Sequence, residues 1–200
     1  MSKVKKDGQG KLFRSNFLEL FTKTNPVIHV ITYGGAMVLF TWLARSNTEQ
    51  RVLYFLLGVI GWTLTEYIMH RYLFHIKPGK FQYLIHGVHH EYPRDKERLM
   101  MPPLPGILLL GIFTLIWFLL FREQTFAYMT GFVGGYIGYT FIHFIIHAWK
   151  PIPGIKFLWT HHHKHHNPAY EDKAFGVSSP LWDIVFGTLP SKSGKQDEAV

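Results

Sequence analysis

Four long apolar runs decide what this chain of 200 residues can become. They extend from Pro26 to Ala44, from Val52 to Met69, from Leu104 to Phe121 and from Phe126 to Trp149. Each approaches the roughly 20 residues that a helix needs to cross the hydrocarbon core of a bilayer. In that solvent every backbone amide must be satisfied within the protein, so runs of this length predict helices. The links between the first and second runs, and between the third and fourth, leave room only for tight reversals. The expected fold is therefore all-α: an integral, multi-pass membrane protein with four transmembrane helices in two hairpins and a cytosolic helical cap built from the polar sequence between and after them. Its domain plan is a tail over residues 1–25, a membrane domain over 26–190 and a disordered tail over 191–200.

The basic residues orient this arrangement. The formal charge is +8. Lys3, Lys5, Lys6, Lys11 and Arg14 precede the first run, and Lys77, Lys80, Arg94, Lys96 and Arg98 fill the middle loop. Lys150, Lys156, Lys164 and Lys173 follow the fourth run. The two short connections hold Arg45, Arg51 and Arg122, offset by Glu49 and Glu123. The excess of Lys and Arg on the cytosolic side of membrane proteins places both termini and the middle loop in the cytosol. Basic charge can also serve nucleic acid, but no nucleic-acid motif is present and the charges sit beside apolar runs. No cleavable signal peptide is expected, because the basic N-terminus lacks an adjacent apolar core and a small-residue cleavage site. Residues 1–10 read as a disordered basic tail. In residues 11–24, Phe13, Phe17, Leu20 and Phe21 have helical spacing; a short helix on the membrane surface and an ordinary amphipathic lead-in both fit. Gly131, Gly134, Gly135 and Gly138 are expected to admit a neighbouring helix. The segment Met100–Pro105 is expected only to break a helix before the third run.

Cysteine is absent, which excludes disulfides, zinc–thiolate sites and thiol catalysis. Histidine is abundant: there are 13, and all but His29 fall into groups. These are His70 and His75 in HRYLFH; His86, His89 and His90 in HGVHH; His143 and His147 in HFIIH; and His161, His162, His163, His165 and His166 in HHHKHH. The first and third groups end the second and fourth apolar runs, and the other two lie in sequence assigned to the same face. Four groups distant in sequence thus converge. On a helix, residues i, i+3 and i+4 share a face, so His86 with His89 and His90, His143 with His147, and His162 with His165 and His166 are each expected to aim into one volume. A lone apolar-face histidine is ordinarily structural, and His29 is read so. Crowded imidazoles without a cation would lack partners or repel one another, so the grouped histidines are read as metal ligands. Their number exceeds the coordination of one ion and points to two. The scarcity of carboxylates favours redox chemistry over hydrolysis.

These motifs, in this order and between two membrane hairpins, resemble the fatty acid hydroxylase/sterol desaturase superfamily. EYIMHRYLFH, HGVHHEYPRDKERLMMPP, HFIIH and HHHKHHN, followed by FGVSSPLWDIVFGT, are most similar to its fatty acid 2-hydroxylase branch. The resemblance spans roughly residues 50–190. It implies a dimetal centre on His70, His75, His86, His89, His90, His143, His147, His162, His165 and His166, with His161 and His163 as extra ligands or supporting residues in a rival register. It implies iron as the active metal, with zinc an occupant of purified protein, and dioxygen as co-substrate. The implied activity is hydroxylation at the alpha carbon of a fatty acyl chain, free or in a sphingolipid; the sterol desaturase/oxidase and carotenoid hydroxylase activities share the histidine scheme. Relatives often carry a fused haem domain, and 200 residues leave no room for one, so electrons are expected from a separate cytochrome b-type protein or ferredoxin. The membrane would be a bacterial inner membrane or the endoplasmic reticulum, according to the host, with the site on the cytosolic face. A metal transporter is the non-enzymatic alternative, disfavoured because the ligands sit at one face.

Around this centre, Glu66, Asp95 and Asp183 are expected to accept hydrogen bonds from ligating imidazoles, with pairing to Arg or Lys the alternative for Glu66. Trp182 and Phe186 are expected to pack against the membrane domain. Asn167 and Tyr170 follow the last histidine group as either a substrate mouth or a turn.

Overall fold

The structure, a computed structural model, describes residues 5, 8–46, 50–76 and 79–190. Among these residues every regular element is helical. Lys3, Lys6, Glu49, Lys77 and the predicted tail 191–200 lie outside the described residues.

Helix α1 (Asn16–Leu20) is capped by the Ser15 side chain, which accepts from the Leu18 amide. Helix α2 (Pro26–Leu43) starts with the Asn25 side chain accepting from the Ile28 amide at 3.0 Å, and Pro26 occupies a first-turn position where no amide donor is needed. Helix α3 (Arg51–Phe74) is α-helical to Ile68 and then passes into a π-helical turn, Met69–Phe74. Helix α4 joins Lys80–Gln82, a second π-helical turn Tyr83–Gly87, and Val88–Glu91. Helices α5 (Pro103–Phe121) and α6 (Thr125–Ala148) follow, then α7 (Lys156–His165) and α8 (Leu181–Val185).

Three stretches are long and apolar enough to cross a membrane: Pro26–Leu43, Arg51–Phe74 and Lys96–Ala148, the last containing both α5 and α6. Their outer surfaces are apolar. Val38 and Val52 are each 70% exposed and Leu120 is 64% exposed, an arrangement suited to lipid and costly in water. On α5 only Gly106 is buried, as befits a helix that is hydrophobic all round.

Helix α6 is the centre of the bundle. Its Met129, Phe132, Val133 and Tyr136 form one buried cluster with Tyr33 and Phe40 of α2. The closest helix pair is α3 with α6. A Cβ at Gly58 would strike the Tyr128 carbonyl, and one at Gly131 would strike the Phe55 carbonyl; glycine at both positions lets the backbones touch. A Cβ at Gly135 would lie 2.9 Å from the Trp62 Cβ, closer than ordinary contact allows. The expectation fails for Gly138, beside which nothing lies within 4 Å, and Gly134 makes only an ordinary contact with Met37 at 3.6 Å. The four share one face of α6, at i, i+3, i+4 and i+7, but only Gly131 and Gly135 meet α3 closely, while Gly134 faces Met37 of α2.

At the polar end of the bundle, described residues near the N-terminus dock on the fold. Lys5 pairs with Glu91 at 2.8 Å and the Gly10 amide donates to Asp95 at 3.1 Å. The Arg98 guanidinium gathers the rest: it donates to Gly10 O and to the Thr22 carbonyl and hydroxyl, and pairs with Glu19 and Asp95. Trp182 donates to the Thr63 hydroxyl at 3.1 Å and Phe186 stacks on Tyr67, so both pack on α3 as expected.

Candidate metal centre

Two π-helical turns deliver the first histidines. HxxxxH spacing does not align on an α-helix. The i→i+5 bonding of a π turn brings residues five apart onto one side, and the rings of His70 and His75 lie 5.2 Å apart. The turn at Tyr83–Gly87 carries His86. His143 and His147 sit one turn apart near the end of α6, and α7 supplies the last group.

The imidazoles form two adjoining clusters. His70, His75, His86, His90 and His165 place one nitrogen each within 4.8 Å of the others, and His89, His147, His162 and His166 do the same. His143 flanks the second cluster, its Nε2 3.1 Å from that of His89. This corrects the one-volume expectation for the HxxHH motifs. His86 and His90 enter the first cluster while His89 enters the second; His162 and His166 enter the second while His165 enters the first. Consecutive helical residues diverge by about 100°. Residues i and i+4 therefore share a target, and i+3 points to its neighbour.

The donor set fits metal ions. A neutral imidazole carries one N–H. The Nδ1 atoms of His70, His143 and His165 face the carbonyls of Phe175 at 2.6 Å, Leu99 at 3.1 Å and Lys173 at 2.8 Å, contacts that only an N–H satisfies. Their Nε2 lone pairs therefore point inward. His86 Nε2 lies between those of His70 at 3.1 Å and His90 at 2.9 Å, and His162 Nε2 between those of His147 at 2.8 Å and His166 at 3.1 Å. One proton can bridge only one of each pair of contacts. The Nδ1 atoms of His89, His162 and His166 are buried with no hydrogen-bond partner among the described residues. Lone pairs forced together in this way are relieved by a cation between them. Burial also favours the neutral, ligating form: it pushes His75 down to about 4 and His165 to about 3, and holds His86, His89, His90, His162 and His166 well below the ordinary value. Neither cluster contains a carboxylate. All-imidazole donors suit iron, zinc, copper or nickel.

The remaining predicted residues separate clearly. His161 turns away and bonds Asp183 at 3.0 Å, while His163 stacks on Trp159 with ring centroids 3.8 Å apart. Among the described residues Glu66 meets neither an imidazole nor a basic side chain; it accepts from the Val177 and Ser178 amides at 2.7 and 2.9 Å. Asp95 also reaches no histidine, because it caps the 3₁₀ turn Lys96–Arg98 and ties down Gly10. Asp183 does reach a histidine, His161, outside the clusters. Asn167 caps the turn Pro168–Tyr170, and Tyr170 is buried beneath Lys164; these are turn residues, and neither lines the cavity described next. His29 is fully buried and bonded to Thr140 at 2.9 Å, as a structural residue should be.

A cavity of about 890 Å³ runs from His86, His89 and His143 into the apolar bundle. Leu109 and Phe113 of α5, and Phe132 and Val133 of α6, line its interior. Sequence reasoning missed two of its walls. Phe13, Leu18 and Phe21 around α1 contribute one, and Met100, Met101 and Pro102 contribute another, so Met100–Pro105 does more than end a helix. The signal was available in the unbroken apolar character of MMPPLP beside a histidine motif.

The fatty acid hydroxylase family model matches residues 55–188. A dihydroceramide fatty acyl 2-hydroxylase of Arabidopsis thaliana is 37% identical over 194 residues, which cover 90% of this chain and 80% of that protein. The ceramide very long chain fatty acid hydroxylase SCS7 of Saccharomyces cerevisiae is 37% identical over 192 residues, 90% of this chain and 50% of the yeast protein, so this chain spans about half the yeast protein's length. The solved structure of full-length scs7p, in which only the hydroxylase domain is visible, superposes with a TM-score of 0.81 at 36% identity, covering 88% of this chain and 70% of that one. The matched region contains every cluster histidine, and with them the helices and loops that bring these side chains together; the chain belongs to the fatty acid hydroxylase family.

Proposed function

We propose that this protein is a membrane hydroxylase that inserts one oxygen atom at the alpha carbon of a fatty acyl chain, free or within a sphingolipid. The carrying observation is the cavity that joins an apolar tunnel to the histidine clusters. Relatives named as fatty acyl 2-hydroxylases supply the substrate class. In the overall reaction a C–H bond becomes C–OH, dioxygen supplies the oxygen, and two electrons and two protons reduce the second oxygen atom to water.

His70, His75, His86, His90 and His165 would hold one metal ion, and His89, His147, His162 and His166, with His143 beside them, a second. Iron is the metal proposed for the active protein and zinc a competitor for the same nitrogens. Such a centre supplies reductive activation of dioxygen. The chain itself does the rest. The carbonyls of Phe175, Leu99 and Lys173 fix the tautomers of three ligands. Leu109, Phe113 and Phe132 bind the acyl tail, exclude water and set its depth, and that depth selects the carbon presented to the histidines.

The topology proposed is four membrane-spanning helices, α2, α3, α5 and α6, beneath a cap of α4, α7 and α8. The basic loops put the cap in the cytosol, within reach of a separate electron donor of the cytochrome b or ferredoxin type. Expression in a host that lacks 2-hydroxy lipids tests the activity. Lipid mass spectrometry should find 2-hydroxyacyl species with the wild type and none with His89→Ala. An unchanged 2-hydroxyacyl pool with altered sterols or carotenoids would reject the substrate.

A further inference from the structure

Two buried carboxylates outside the histidine clusters hold the loop that orients two of the clustered imidazoles. Between α7 and α8, residues 173–178 present the Lys173 carbonyl to His165 and the Phe175 carbonyl to His70. Every amide from Ala174 to Ser178 is engaged. Ala174 donates to Thr188 O at 2.9 Å. Phe175 and Gly176 donate to the two oxygens of Asp183 at 2.9 and 2.8 Å. Val177 and Ser178 donate to Glu66, whose other oxygen takes the Ser178 hydroxyl at 2.5 Å. Asp183 also accepts from His161 and from the Thr188 hydroxyl at 2.6 Å. Ala174 is held at φ 58°, a left-handed conformation that a non-glycine residue keeps only when its surroundings impose it.

The bracing is one-sided. His70 and His165 both belong to the first cluster. In the second, His89, His162 and His166 have no Nδ1 partner among the described residues, and His143 leans on Leu99, far from this loop in sequence. Only an acceptor at both oxygens can serve Asp183, because each oxygen faces an N–H. An amide in its place would set its NH₂ against a donor whichever way it turned. Burial alone would raise the Asp183 pKa, yet the hydrogen bonds from His161, Thr188 and the two amides outweigh it and hold the group below the usual carboxylate range, so it stays an acceptor.

We infer that Glu66 and Asp183 are positioning residues for the first cluster alone, setting the metal affinity of that position through loop 173–178. This rests on the metal-pair reading above. The test is cobalt(II) titration of chelator-stripped full-length protein in detergent against a competing chelator, with cobalt stoichiometry and the visible absorption band as readouts. The wild type should show two binding events. In Asp183→Asn and in Glu66→Ala one event should weaken by about 10–100-fold while the other is unchanged. The weakened event should be the one that survives in a His147→Ala background. Ser178→Ala, which removes only a hydroxyl, should shift the same event by less. Should Asp183→Asn fail to fold, Glu66→Ala and Ser178→Ala read the same event from the other end of the loop. In variants that keep wild-type helical circular dichroism and elution volume, equal weakening of both events, or none, overturns the inference. Wild-type protein that binds no cobalt overturns the metal reading itself.

Discussion

His90 and His166 lie face to face, with ring centroids 4.2 Å apart and planes 26° apart, one belonging to each cluster. They form the wall that the two clusters share. Because α4 and α7 each send two imidazoles to one cluster and one to the other, neither helix can shift without disturbing both. The clusters nevertheless draw on separate ligands away from that wall. His75→Ala should cost the first metal and leave the second, and His147→Ala should do the reverse. Elemental analysis of the purified variants should give one metal per chain in each case, and hydroxylated lipid should be lost from both. Loss of both metals from either single variant would show that the two positions load as a unit.

Acid should destabilise the metal-free protein. Burial lowers His75 to about 4 and His165 to about 3, against about 6.5 in an unfolded chain. The folded state thus takes up these protons less readily than the unfolded state. Its stability is full above about pH 6.5 and falls as the pH drops from there towards the folded values. The thermal unfolding midpoint of chelator-stripped protein in detergent should be lower at about pH 5 than at about pH 7.5. Equal midpoints would mean that these imidazoles are solvated in the folded protein.

The sequence made some of this legible and hid the rest for physical reasons. Helices α2, α3, α5 and α6 were visible because apolar length alone specifies them, and their observed starts fall within a residue of the predicted ones. Convergence of the histidines followed from topology and charge. Their division did not, because a ten-histidine count is blind to the divergence between i+3 and i+4. The π turn at Met69–Phe74 left only an indirect trace, the five-residue HxxxxH interval that an α-helix cannot align, and the one at Tyr83–Gly87 left no such interval. Glu66 and Asp183 looked like partners for ligating imidazoles because they are acidic and near histidines. Their backbone partners, residues 175–178, are a long way off in sequence from Glu66, and no local pattern signals that pairing.

Close approach of α3 and α6 yields a pair of contrasting substitutions. Gly131→Ala drives a Cβ into the Phe55 carbonyl and should cost about 1–3 kcal/mol through overpacking. Gly138→Ala meets open space and should be neutral or gain up to about 1 kcal/mol of helix propensity. Thermal unfolding in one detergent, with the two variants side by side, measures the difference. Equal effects would deny that glycine at 131 serves the helix contact.

The tunnel should set chain length. Phe132 stands 11 residues before His143 on α6, about 16 Å along the helix axis. Leu109→Trp would fill part of the cavity that Leu109 and Phe132 line. The distribution of 2-hydroxyacyl products should move towards shorter chains while metal content stays at the wild-type level. An unchanged distribution would place the acyl tail elsewhere.

The metal-to-protein ratio of the freshly purified wild-type chain bears most directly on the whole account. Two metal ions per chain are predicted, held by nitrogen donors and removable by acid or chelator. A ratio near zero after purification and metal addition, or a single ion that no histidine substitution in one cluster affects, would contradict it.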